Sequence, residues 1–388
     1  MQRSEARILT SHAGSLPRPD ELIEMNKARL EGGGVDPATF RKTLSDAVAS
    51  VVRSEVEAGV DIVNDGEYGK ASRGTIDYGP WMSYAYERIS GWELDQPESG
   101  GVMASRRDRQ LFPGTYAEIT SGSTRFAATT PRLFTGPVSY IGQEALKADI
   151  ENLKGATQNA GATEVFLTSV APGSFGRRQN RYYKTDEEFI LAIGEAMREE
   201  YRAIVDAGFV LQLDDPGLPD SWDMFNPEPS LQDYKRYAAV TIESLNNALK
   251  GIPEDRVRYH ICWGSWHGPH TTDLPLKDIV DVLLTVRAGC YSVEAGNVRH
   301  EHEWKVWRDV KLPEGKLLMP GVVSHATNVV EHPEVVADRI VRYANVVGRE
   351  NVIAGTDCGL GGRIHTELAW AKLRSLVEGA RLASQELW

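Results

Sequence analysis

The chain has 388 residues, 41% hydrophobic and 25% charged, with a formal net charge of −12 and three cysteines. No run approaches the roughly 18 consecutive apolar residues of a membrane helix, and the negative balance argues against a nucleic-acid surface, so a small molecule is the expected partner. Met1 to Arg7 is polar with no apolar stretch behind it, which predicts a cytoplasmic protein, and three cysteines are too few for a disulfide framework, which favours thiolate–metal or buried roles.

In chain order, a first strand is expected at Ile8 to Ser11. Asp36 then reads as an N-cap with Pro37 at the first helical position, and Phe40, Leu44, Val48, Val51, Val52 and Val56 form a helical stripe running to Gly59. A strand from Val60 to Val63 follows and leads into Asn64, Asp65 and Glu67. Residues 78–132, rich in Gly, Ser and Arg and without a clean period, read as an inserted loop region. Strands are expected at Leu133 to Val138 and Glu164 to Ser169.

The clearest helix begins at Thr185, whose hydroxyl can cap it while Glu188 returns the bond, and Phe189, Ile193, Met197, Tyr201 and Ile204 carry its apolar face to Gly208. Strand Phe209 to Leu213 ends at Asp214. The pattern repeats with a helix from Tyr234 to Gly251 into strand Val257 to Cys262, from Leu276 to Gly289 into Cys290 to Glu294, and from Pro333 to Gly348 into Val352 to Asp357. One more strand is expected at Lys316 to Val323.

Alternating helices and strands imply a parallel sheet, and the absence of a GxGxxG at the first βα turn weighs against a dinucleotide-binding fold. The predicted class is α/β, a closed (β/α)8 TIM barrel forming one catalytic domain over 1–388, with 78–132 inserted near its mouth. Nine candidate strands exceed that barrel by one. Active sites of such barrels lie at the C-terminal strand ends, where Glu67, Asp214, His260, Cys262, Glu294 and Cys358 all fall.

His260 and Cys262 sit two apart on a strand, so both side chains share a face. Zinc accepts thiolate sulfur, imidazole nitrogen and carboxylate oxygen in tetrahedral geometry, and Glu294 and Cys358 at two later strand ends complete such a set. The plainer readings are a buried cysteine beside a core histidine, and a carboxylate paired with a neighbouring base. Cys290, at the start of its strand, reads as structural.

These residues resemble the catalytic domain of cobalamin-independent methionine synthase and its single-domain relatives, including epoxyalkane:coenzyme M transferases. The resemblance spans nearly the whole chain. It is carried by Ser11-His12-Ala13-Gly14-Ser15-Leu16-Pro17-Arg18-Pro19, Asp65-Gly66-Glu67, Leu211-Gln212-Leu213-Asp214-Asp215-Pro216, His260-Ile261-Cys262, Glu294, the Gly321 to Val329 segment, and Asp357-Cys358-Gly359-Leu360. It implies that His260, Cys262, Glu294 and Cys358 ligate zinc, that Ser15 contacts the thiol substrate, that Glu67 and Asp214 grip its ammonium group, and that His325 is a general acid.

The implied activity is zinc-dependent thiol alkylation, with methyl transfer to homocysteine giving methionine as the first reading, and epoxide opening by coenzyme M as the second. A non-catalytic thiol- or metal-binding barrel is the third. The donor stays open among methyl-folate, a methylcorrinoid and an epoxide. The long form's duplicated N-terminal half does not occur in this sequence, and no tryptophan follows Gly136-Pro137-Val138, which weakens the folate option. The segment after Cys262 carries Trp263, Trp266, His267 and His270, candidates for a donor pocket or for alternative ligands.

Overall fold

The computed structural model describes residues 1–94, 106–120, 132–175 and 180–388. Ten strands are present among them: β1 (Leu9–Thr10), β2 (Ile62–Val63), β3 (Trp92–Leu94), β4 (Arg132–Phe134), β5 (Glu164–Val170), β6 (Val210–Asp214), β7 (Val257–His260), β8 (Cys290–Val293), β9 (Leu317–Val323) and β10 (Ile353–Thr356). Eight of them form one parallel sheet in the order β1-β10-β9-β8-β7-β6-β5-β2. The two end strands are tied by side chains, with Thr10 N donating to Asp61 Oδ2 at 2.8 Å and Ser11 Oγ to the Ile62 carbonyl at 3.1 Å. The result is a nearly closed (β/α)8 barrel.

The surplus ninth strand has a definite place. The expected Leu133 to Val138 strand is β4, which pairs antiparallel with β3 outside the barrel. A run of Arg-Leu-Phe before Thr-Gly-Pro gives the same local signal whether its partner is parallel or antiparallel, so only the partner separates the two cases. The expected helix over Leu276 to Gly289 is also corrected. It is a 3-10 turn, Leu276–Asp278, followed by a single turn of helix, Val280–Leu283.

Two helices start at the caps read in the sequence. Asp36 accepts from Thr39 N at 2.8 Å ahead of helix Pro37–Glu57, and Thr185 accepts from Glu188 N at 3.1 Å ahead of helix Asp186–Asp206. The return bond goes from Lys184 N, not Thr185 N, to Glu188 Oε2. The Asp186–Asp206 helix buries Phe189, Ile193, Met197, Tyr201 and Ile204 against the barrel wall, as its periodicity requires.

Strand alternation sorts the barrel interior into levels. Leu9, Ile62, Phe166, Val210, Cys290, Leu317, Met319 and Ile353 form an apolar cluster separate from the outer core. Two residues further along their strands stand Ser11, Thr168, Gln212 and Ser292, and two further again Asp214 and Glu294; on β7 the same sequence of levels is Arg258, then His260. The interior therefore changes from apolar to polar toward the C-terminal strand ends.

Of the insertion expected over 78–132, residues 95–105 and 121–131 lie outside the described residues. The described part reaches the loops at the C-terminal strand ends. Arg106 pairs with Asp220 beyond β6 at 2.5 and 2.9 Å, and Asp108 accepts from His270 N and Thr271 N beyond β7. Arg106 also lies over the Trp266 ring, 3.6 Å from its centroid.

Candidate active site

The turn after β1 and the turn after β2 meet at the barrel mouth. Gly66 and Glu67 both adopt left-handed backbone (φ 64 and 61), a strained choice for glutamate that Asn64 and Asp65 hold by accepting from Gly66 N at 2.7 Å and Glu67 N at 2.9 Å. Arg18 fastens the same turn by donating to the Glu67 carbonyl at 2.6 Å. Ser15 lies on the β1 turn, whose carbonyl accepts from Leu360 N and Gly361 N just past Cys358. Ser15, Glu67 and Cys358 thus belong to one surface.

His260, Cys262 and Cys358 converge. One ligand atom from each lies within 4.8 Å of the others, and His260 and Cys262 are buried. Ser292 Oγ lies 2.9 Å from His260 Nδ1, which orients the ring, while buried His260 Nε2 makes no hydrogen bond among the described residues. A buried, oriented imidazole with its second nitrogen unpartnered beside two sulfurs is the donor set zinc takes, so these residues fit the ion.

The two thiols share a hydrogen bond. Donation from Cys262 holds Cys358 well below the usual thiol range, assisted by neighbouring His260, while the same bond and burial push Cys262 up. Glu294 stands just beyond β8, outside that three-residue group, with Oε1 accepting from Trp263 N at 3.1 Å and Oε2 from Asn297 Nδ2 at 2.7 Å. Burial raises its carboxyl well above the usual range; His300 opposes this, and the charges of Asp357 and Cys358 add to it. A carboxyl pushed toward neutrality among thiols gains most from a cation placed between them.

Several supporting residues gave no separate signal in the sequence. Asp357 Oδ1 accepts from Ala295 N and Gly296 N, both at 2.7 Å, and its Oδ2 from Asn297 Nδ2 at 3.0 Å, so the residue before Cys358 fixes the turn after Glu294. Gly321 on β9 has no room for a Cβ because the Asp357 backbone lies against it. Beneath the site, Arg258 is fully buried over the Phe166 ring, bonded to Gln212, Ser11 and the His12 carbonyl, with no carboxylate in ion-pair range among the described residues. Burial lowers it to about 10. Because Gln212 Oε1 accepts from Arg258, its Nε2 faces Asp214 Oδ1 at 2.7 Å.

Asp214 is buried, and burial followed by the nearby Glu67 charge raises it to about 7. Glu67 Oε1 is already engaged, accepting from Lys70 Nζ at 2.7 Å and Thr168 Oγ1 at 2.8 Å. Lys70 belongs to no motif of the sequence. Its only mark was a basic residue three places after Glu67 in Asp65-Gly66-Glu67-Tyr68-Gly69-Lys70.

His325, in the loop after β9, is buried with Nδ1 unpartnered among the described residues; burial lowers it to about 3, against the pull of Cys358. His267 meets the His325 carbonyl through Nε2 at 3.1 Å, and His270 stacks on Trp266 and bonds Asp273. Both are committed to the mouth loops instead of the ligand group. Trp263 stacks on His300 at 4.0 Å, and bonds to Asp273 and Glu303 outweigh burial to raise His300 to about 10. Cys290 packs in the apolar cluster at the opposite end of the interior, where burial pushes it up to about 12.

The chain is 26% identical over 412 residues to 2-hydroxypropyl-CoM lyase of Xanthobacter autotrophicus, covering 99% of this chain and 96% of that protein. It is 24% identical over 384 residues to a methionine synthase of Saccharolobus islandicus, with coverage of 97% and 95%. Its fold matches a B12-independent methionine synthase from a Shewanella species with a TM-score of 0.71 at 20% identity, covering 98% and 99% of the two chains. The sequence profile described as "Cobalamin-independent synthase, Catalytic domain" matches residues 174–382, more than half of the chain and the span that carries His260, Cys262, Glu294, His325 and Cys358, and the chain belongs to that family.

Proposed function

We propose that this chain is a zinc-dependent thiol alkyltransferase in which His260, Cys262, Glu294 and Cys358 hold one zinc ion and a small thiol is alkylated beside it. The observation that carries this reading is the convergence of His260, Cys262 and Cys358 around an unpartnered imidazole nitrogen. Bound there, zinc would lower the pKa of the incoming thiol while leaving its sulfur nucleophilic.

The chain's own residues supply the rest. Ser15 and the turn after Cys358 border the thiol, and Glu67 and Asp214 line the place of its far end. His325, with its buried Nδ1 unpartnered among the described residues, is the general acid that passes a proton to the departing group, the proton being the one the thiol gives up. The S–H bond breaks, an S–C bond forms, and the C–donor bond breaks with its electron pair leaving on the donor. Arg106 and Asp108, from the described part of the region 78–132, tie it to the loops at the mouth.

Methyl transfer to homocysteine, giving methionine, is supported by the relatives named methionine synthase and by the two carboxylates. Epoxide opening by coenzyme M, the second reading, is favoured by one specific observation, the Lys70–Glu67 contact, because that substrate brings no ammonium group. Metal analysis of the purified protein with an assay of thiol alkylation tests the common core. One zinc per chain is expected, lost with activity in Cys358→Ser; full alkylation without zinc would refute the proposal.

A further inference from the structure

Lys70 has no assigned part in the chemistry, yet it stands where a substrate cation would bind. Its side chain is 7% exposed, its Nζ donates to Glu67 Oε1 at 2.7 Å and Thr168 Oγ1 at 2.9 Å, and it faces the Tyr84 ring at 4.4 Å. The contact is built in. Lys70 N donates to the Glu67 carbonyl at 3.0 Å, the left-handed backbone of Gly66 and Glu67 is held by Asn64, Asp65 and Arg18, and the Glu67 side chain reaches Thr168 on β5.

The ammonium has little room to withdraw. The cavity that Lys70 lines measures about 10 Å³, the space of a single water, and Arg88 also lines it, paired with Asp149 at 2.6 Å and Glu200 at 3.6 Å. A second ammonium brought to Glu67 would put two like charges on one buried carboxylate, where water screens them weakly. Asp214, the other carboxylate, has no cation in ion-pair range among the described residues, although the Lys70 charge reaches it; it accepts from Gln212 Nε2.

We propose that Lys70 is a specificity-determining residue that supplies Glu67 with its cation from within the chain, so that the thiol taken by this site lacks an α-ammonium group. This rests on the thiol-activation reading and selects among its acceptors. The anionic or neutral tail of such a thiol meets a surface whose charge at Glu67 is already balanced.

The test compares two thiols that differ in the ammonium alone, homocysteine and 4-mercaptobutyrate, by calorimetric titration of the zinc-loaded protein. The wild type is expected to bind 4-mercaptobutyrate about ten-fold or more tightly than homocysteine. Lys70→Met should shrink or invert that ratio, and Lys70→Arg, which keeps the charge, should preserve it. Tighter binding of homocysteine by the wild type, or an unchanged ratio in a folded, zinc-replete Lys70→Met protein, would overturn the proposal. The wild-type ratio decides the matter even where a variant does not fold. Failure of both thiols to bind a zinc-replete protein would instead remove the thiol-activation reading, and this inference with it.

Discussion

Cys290 and Cys358 are the same residue type at opposite ends of one barrel interior, and their chemistry is opposite. Cys290 begins β8 among Leu9, Ile62, Phe166, Val210 and Met319, where burial outweighs the nearby Arg258 charge and pushes the thiol up to about 12. Cys358 follows β10, where Cys262 and His260 draw it well below the usual range. The strand end decides which chemistry a cysteine has, because the last inward positions of parallel strands meet polar loops while the first meet one another.

The largest effect should come from Cys358→Ser, expected to lower thiol alkylation about a thousand-fold or more, with zinc content falling in step. Equal activity in that variant would erase the distinction between the two ends. At the other end, Phe166→Ala should cost about 3–5 kcal/mol in denaturant unfolding while zinc stoichiometry holds near one per chain. It also removes the ring beneath Arg258, so a loss of zinc would mean that the apolar end and the site are not separable.

His325→Gln is expected to reduce kcat about 100-fold with thiol affinity nearly unchanged. A rise in KM with kcat intact would make it a binding residue instead. Asp357→Ala removes the carboxylate that fixes the Glu294 turn, and zinc affinity measured by chelator competition should weaken about 10–100-fold. No change would mean that Ala295 and Gly296 hold the turn unaided.

The smallest effect is expected for Cys290→Ala, about 1 kcal/mol in stability and none on alkylation. In chelator-treated wild type, iodoacetamide should label Cys358 well below pH 9, since its depressed pKa leaves thiolate present there, and Cys290 last, as pH approaches about 12. Peptide mass spectrometry reads the order. Simultaneous labelling of both at neutral pH would contradict the environments described.

Much of this was legible before any fold was known. Asp36 and Thr185 announce their helices because a cap is a local hydrogen bond, satisfied within three residues. His260 and Cys262 share a face because alternation is a property of the strand itself. The alternation of helices and strands located Glu67, Asp214, Glu294 and Cys358 at strand ends, where the barrel has them, while their roles came from the family resemblance.

What the chain could not declare locally depends on partners far away in sequence. Leu133 to Val138 reads as a strand, but its antiparallel pairing with Trp92–Leu94 outside the barrel is set by what lies beside it. Lys70 is an ordinary basic residue until the β2 turn and Thr168, 98 residues on, enclose it against Glu67. Arg258 and Gln212 likewise become one chain of contacts leading to Asp214 only when β6 and β7 lie side by side. Composition, caps and alternation are short-range and therefore written in the sequence; burial and the pairing of charges are three-dimensional, and only the assembled barrel decides them.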